Sequence, residues 1–237
     1  MEIDETINKW HEETLNWIEK KIGPNKSNAD ESDKLCICAV ATCNQYCAAI
    51  LKLLHNDCEY PAKALMRCLG ELNAKLAWSL TECQDNKDNT PEAVIERIRR
   101  WIMTANSKGI KLLEESKEVM RPEDKEKHEK ILSDLKKSHE EYKKSNIKEM
   151  PTLVDIFKQL GDLYYNEIRP AFYSIFNDAV HLDPASMSAI YGSLPQGRDE
   201  LETYCVAFAY NINSLIRLRY DLDTKQIKKE YDRIMRN

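Results

Sequence analysis

Residues 61–80 read PAKALMRCLGELNAKLAWSL. Ala62, Leu65, Leu69, Leu72, Leu76 and Leu80 recur every three or four positions, the spacing that lines one face of an α-helix. Pro61 stands near the first helical position, where its missing N–H costs nothing. The opposite face carries Ala64, Arg67, Glu71, Ala74 and Trp78 and is only half apolar. A helix apolar on one side and mixed on the other belongs near the centre of a bundle. Arg67 and Glu71 then sit one turn apart on a face with little access to water.

The same periodicity extends in both directions. Residues 4–21 form a first helix through Ile3, Ile7, Trp10, Thr14, Trp17 and Ile18, ended by Gly23-Pro24. Residues 25–32 read as a loop, and a second helix runs from Asp33 to His55. Thr90-Pro91-Glu92 is a strong helix start: a cap, an N1 proline and a first-turn acid. That helix continues to Val119 through Val94, Ile98, Trp101, Ala105 and Leu112. Arg121-Pro122-Glu123 turns the chain, and residues 123–145 are mostly Lys and Glu, with Ile131, Leu135 and Tyr142 as a thin apolar seam. We read 91–145 as an inserted, protruding charged helical hairpin, largely solvated; a partner-docking arm is the competing reading.

Helices follow at 151–161 and 163–181, with a kink or restart expected at Arg169-Pro170. Residues 192–197 are the clearest loop. A long helix from Asp199 to Tyr220 closes the core through Leu201, Cys205, Phe208, Ile212, Leu215 and Leu218. A last charged helix, 223–236, is expected at the periphery. The fold class is therefore all-α: about eight helices in a single domain over residues 1–237, with no strand.

Composition agrees. Six glycines and eight prolines in 237 residues are few for a protein built on tight turns. A net charge of −5 argues against a generic phosphate-coating surface. The acidic start Met1-Glu2-Ile3-Asp4-Glu5 is unlike a secretory leader. No stretch is expected to supply the ~18 uncharged apolar residues of a membrane helix. A cytoplasmic location and reduced thiols for the eight cysteines are the expectation.

Four of those cysteines invite a metal reading. Cys36, Cys38, Cys43 and Cys47 crowd one helix, but Cys38 points away from the face shared by the other three. Structural zinc needs four converging ligands. His55, Cys58, Cys68 and Cys83 offer no recognisable second half-site. Small residues surround the cluster, so buried thiols acting as small hydrophobes are the better reading. No metal or cofactor is expected. The chain has no Gly-rich phosphate loop, no nucleophile elbow and no paired-His zinc motif; His11-Glu12-Glu13-Thr14-Leu15 fails at its fifth position. No DNA-binding motif is present.

Two polar rows remain. One is Arg67 and Glu71. The other is Tyr173, Asn177 and His181, spaced at four residues on one helix face. These five are the candidate site residues. The plain reading is a structural network, with Arg67 paired to Glu71 and His181 capping its own helix end.

Ala62, Leu65, Arg67, Leu69 and Glu71, followed by Tyr173, Asn177 and His181, resemble an uncharacterised prokaryotic helical family, domain of unknown function 5677, over about residues 35–220. That family usually shows Ser where this chain has Asn177. The resemblance implies the helical fold and flags these residues without implying a reaction. A weaker resemblance is to the HEPN helical bundles, many of them metal-independent ribonucleases with an Arg-x4-6-His motif. Phe176 to His181 fits the spacing, but Phe176 stands in the place of the Arg. Arg121 and His128 match that spacing in the charged hairpin, where we read the match as chance. The HEPN resemblance implies His181 as general acid/base, Glu71 or Asn177 orienting it, and Arg67 lending the phosphate-binding cation from another helix.

The primary expectation is a helical interaction or regulatory protein with a buried polar cluster and a protein partner or self-association. The alternative is a HEPN-like RNA-cleaving effector of a toxin or phage-defence kind.

Overall fold

The central helix forms where its leucines place it. It spans Glu59–Leu80, beginning two residues ahead of Pro61. Met66, Leu69, Asn73, Leu76, Ala77 and Leu80 are buried on it. Each fully buried Leu or Met contributes about 2 kcal/mol relative to an exposed one. The computed structural model describes residues 3–23, 29–81, 90–119, 121–170 and 198–236. Among these residues the protein is all-α, with eight α-helices, one π-helical turn and no strand.

We number the α-helices in chain order: α1 Ile3–Ile22, α2 Glu31–His55, α3 Glu59–Leu80, α4 Pro91–Ser116, α5 Lys125–Lys144, α6 Leu153–Gln159, α7 Arg198–Arg219 and α8 Lys225–Ile234. The chain divides into two compact units, Met1–Lys87 with Leu153–Asn237, and Asp88–Thr152.

In the first unit, α2 packs on α1, α3 and α7, and α3 also packs on α6 and α7. The helix α2 starts earlier than its sequence pattern indicates. Asp30 caps it by accepting from the Asp33 N–H at 2.8 Å, and Asp33 reaches back to accept from the Asp30 N–H at 3.1 Å. This reciprocal cap satisfies two otherwise orphaned donors. A second correction concerns α2's length. Its window is long and apolar enough, at mean hydropathy 1.5, to cross a membrane by length and composition. Leu35 to Leu51 carries no charged residue. Here Cys36, Ala39, Val40, Cys43, Cys47, Ile50, Leu51 and Leu54 are buried, as on the core helix of a bundle.

The buried stripe of α7 also differs from the expected one. Leu201, Cys205, Ala209, Ile212, Ile216 and Tyr220 are buried. Phe208 and Leu215 are half-buried and Leu218 is 61% exposed. The real stripe steps by four, four, three, four and four residues, slower than a heptad seam. On α1, Trp17 likewise faces out at 52% exposure. Its ring lies beneath the Lys20 ammonium, 5.3 Å from the centroid. At the Arg169-Pro170 position the helical backbone continues from the π-helical turn Leu163–Ile168 through residue 170.

In the second unit, α4 and α5 run antiparallel. Asn106 Nδ2 donates to Ser138 Oγ at 3.0 Å, and Lys136 Nζ meets Glu114 Oε1 at 2.7 Å. Gly109 allows the approach: a Cβ there would stand 3.1 Å from Leu135 Cδ1. Only the first part of the expected apolar seam is buried. Val94 and Ile98 are buried as expected, together with Arg97, Met103, Asn106 and His128, whereas Leu112 is 65% exposed and Val119 is 83% exposed. Residues 149 and 150 fold back onto α4: Arg100 donates to the Glu149 carbonyl at 3.2 and 3.1 Å, and Thr104 Oγ1 accepts from the Met150 N–H at 2.7 Å.

Candidate functional site

The row on α3 is longer than the sequence pattern singled out. Arg67 Nε donates to Glu71 Oε1 at 3.4 Å, and Lys75 Nζ donates to Glu71 Oε2 at 3.2 Å. The three side chains are 18%, 31% and 22% exposed, so water still screens them. Helical spacing alone produces this ladder, because positions 67, 71 and 75 are each one turn apart.

A phenol joins it from the neighbouring helix. The Tyr46 hydroxyl on α2 is pushed above its ordinary pKa by burial, then by the nearby Cys68 thiol and the charge of Glu71. Lys75 was legible in the sequence at four residues from Glu71. Tyr46 was not, because only the packing of α2 on α3 brings it near. Of the five predicted residues, Arg67 and Glu71 are together. Tyr173, Asn177 and His181 lie outside the described residues.

The arrangement has a definite chemical character. Glu71 has a cation within 3.4 Å of each carboxylate oxygen, Arg67 on one and Lys75 on the other. The row can recognise charge or exchange partners.

Burial divides the cysteines. Cys36, Cys43, Cys47 and Cys205 are buried, while Cys38, Cys58 and Cys68 are exposed. The Cys43 and Cys47 sulfurs are 3.9 Å apart. A hydrogen bond with Cys47 and burial push the Cys205 thiol well above its usual range. Burial raises Cys36 to about 12. Thiols held protonated in this way are poor nucleophiles and poor metal ligands. Among the described residues no three His, Cys, Asp or Glu side chains are grouped to hold a metal. Cys83 lies outside those residues.

A second polar cluster carries no sequence signal. Arg217 on α7 is 4% exposed. Its Nε donates to Thr14 Oγ1 at 3.0 Å, and its Nη2 donates to Glu13 Oε2 at 3.1 Å and to the Trp10 carbonyl at 3.5 Å. Its Nη1 reaches the Asp223 carbonyl at 3.4 Å. One guanidinium thus ties α1, α7 and the turn before α8. Nearby on α1, His11 is fully buried, and burial lowers its pKa to about 4.

These features define an all-helical protein with a charge-compensated row on its central helix. The chain belongs to DUF5677, a family of unknown function, which it matches over residues 33–198. That span contains the α3 row and the Tyr173, Asn177 and His181 positions. No curated protein and no solved structure matches the chain.

Proposed function

We propose that the chain is a helical interaction or regulatory protein, cytoplasmic, acting through a protein partner or a second copy of itself. The observation that carries this reading is the double engagement of Glu71 by Arg67 and Lys75 on a half-buried face. A carboxylate neutralised on both oxygens is a recognition element.

The competing reading is a HEPN-like metal-independent endoribonuclease, with His181 as general acid/base, Glu71 or Asn177 orienting it and Arg67 binding phosphate. Only the Phe176–His181 spacing motivates it.

The deciding experiment is cleavage of single-stranded RNA in EDTA by the purified chain, beside His181→Ala and Arg67→Ala. The interaction reading predicts no cleavage above background by any of the three. Cleavage by the wild type that disappears in His181→Ala would replace this reading with the ribonuclease.

A further inference from the structure

The outer half of α4 carries a face that its hairpin partner does not cover. Val94, Ile98 and Trp101 begin a row spaced by four and three residues in turn, and Ala105, Lys108, Leu112, Glu115 and Val119 continue it. That alternation is the spacing of a coiled-coil seam. Val94 and Ile98 are buried and Trp101 is half-buried. From Ala105 onward every position in the row is exposed, Leu112 at 65% and Val119 at 83%. Val119 lies in the short 3-10 turn that follows α4.

The helix α5 occupies a different face. Asn106 bonds Ser138, a Cβ at Gly109 would meet Leu135, and Glu114 meets Lys136. Leu112 is two residues from Glu114 and Ile131 is five from Lys136. At 3.6 residues per turn, both side chains therefore leave their helices on the edge away from that ion pair. Ile131 is itself 42% exposed. Leu112 and Ile131 thus share one open apolar edge of the hairpin.

Two charges interrupt this seam, and their order identifies what covers it. Lys108 lies one turn before Leu112 and Glu115 one turn after it. A second copy of α4 laid antiparallel across Leu112 brings Lys108 of each chain beside Glu115 of the other, twice by two-fold symmetry. A second copy laid parallel sets Lys108 against Lys108 and Glu115 against Glu115, like charges at both levels. Polar residues inside an apolar seam fix its register and orientation in this way. The existing pair of Glu115 with Lys111, at 3.9 Å, is exposed and within one helix, so it contributes little and does not oppose the exchange.

We propose that two copies of this chain associate through the outer edge of α4, antiparallel, with Ala105, Leu112 and Val119 in the seam and reciprocal Lys108–Glu115 pairs setting the register. The inference rests on the interaction reading above and commits it to self-association.

The test is sedimentation velocity of the full chain over a concentration series. A reversible monomer–dimer equilibrium is expected. Leu112→Lys is expected to weaken the dimer about tenfold or more. Its melting temperature at a monomeric concentration should match the wild type, because Leu112 is exposed. If that variant is less stable, Leu112→Ser is expected to weaken the dimer in the same direction. Lys108→Glu and Glu115→Lys, each alone, are expected to weaken it about tenfold by bringing like charges together. Combined in one chain, the two reversals exchange the signs and are expected to restore association to near the wild-type value.

A monomer at every concentration, a dimer indifferent to the Leu112 variants, or a double reversal no tighter than the single ones would overturn the proposal. A chain that stays monomeric and cleaves no RNA removes this contact and leaves the interaction reading. RNA cleavage dependent on His181, by a chain that passes the dimer tests, keeps this contact and replaces that reading.

Discussion

Arg67 on α3 and Arg217 on α7 each bind a glutamate, but the two pairs do different work. Arg67 finds Glu71 one turn along its own helix, and both stay partly hydrated at 18% and 31% exposure. Arg217 finds Glu13 across 204 residues of sequence, with its own side chain only 5% exposed. The first pair forms whenever the helix forms, so it adds little to tertiary stability. The second forms only when α1 and α7 dock, and its desolvated guanidinium must be fully partnered. The contrast teaches that the row most visible in the sequence is the lighter structural element. The tertiary fold is tied together at Arg217.

The largest effect that would sharpen this contrast is at Arg217. Arg217→Ala should cost about 4 kcal/mol in chemical denaturation, because it empties a buried site and removes the guanidinium that Glu13, Thr14 Oγ1 and the Asp223 carbonyl share. A loss near that of a surface charge would break the comparison.

Next is His11, fully buried on α1 beside the Ile7 backbone and the Asn44 side chain. Burial lowers its pKa from 6.5 to about 4. The unfolded chain therefore takes up the proton first as pH falls. Stability from this residue is complete above pH 6.5 and is lost between there and pH 4, by about 3 kcal/mol in total. His11→Leu should flatten that part of the stability–pH curve; an unchanged slope would assign it to other groups.

Glu230 comes third. Burial disfavours its charge, but hydrogen bonds from Lys9 and Trp10 outweigh this and hold its carboxyl below the ordinary 4.5. Glu230→Ala should cost about 2 kcal/mol. The loss should shrink once pH falls through its lowered pKa, as seen in paired melts of wild type and variant.

The smallest effect is expected at the row itself. Arg67→Ala should cost about 0.5 kcal/mol, typical of a partly hydrated pair within one helix.

Much of the fold was legible because helical periodicity and capping are local. The leucines of 61–80 and Thr90-Pro91-Glu92 placed their helices directly. The legible part of the site was local too: Arg67, Glu71 and Lys75 are one turn apart. What could not be read depends on which helix faces which. Nothing in the neighbourhood of Arg217 announces Thr14 or Glu13, and nothing near Tyr46 announces Glu71. Leu218 and Val119 look like core by residue type, yet they are exposed at 61% and 83%. The helix of Leu218 turns another face inward, and Val119 lies past the end of α4. In the hairpin, Asn106 bonds Ser138 and His128 is buried, so polar side chains occupy positions that a purely apolar seam would miss.

The most direct test of the central claim is side-by-side urea denaturation of wild type, Arg67→Ala and Arg217→Ala at neutral pH. The account predicts a midpoint near wild type for Arg67→Ala and a large drop for Arg217→Ala. A drop for Arg67→Ala equal to or larger than that for Arg217→Ala would contradict it, and would make the α3 row a structural keystone.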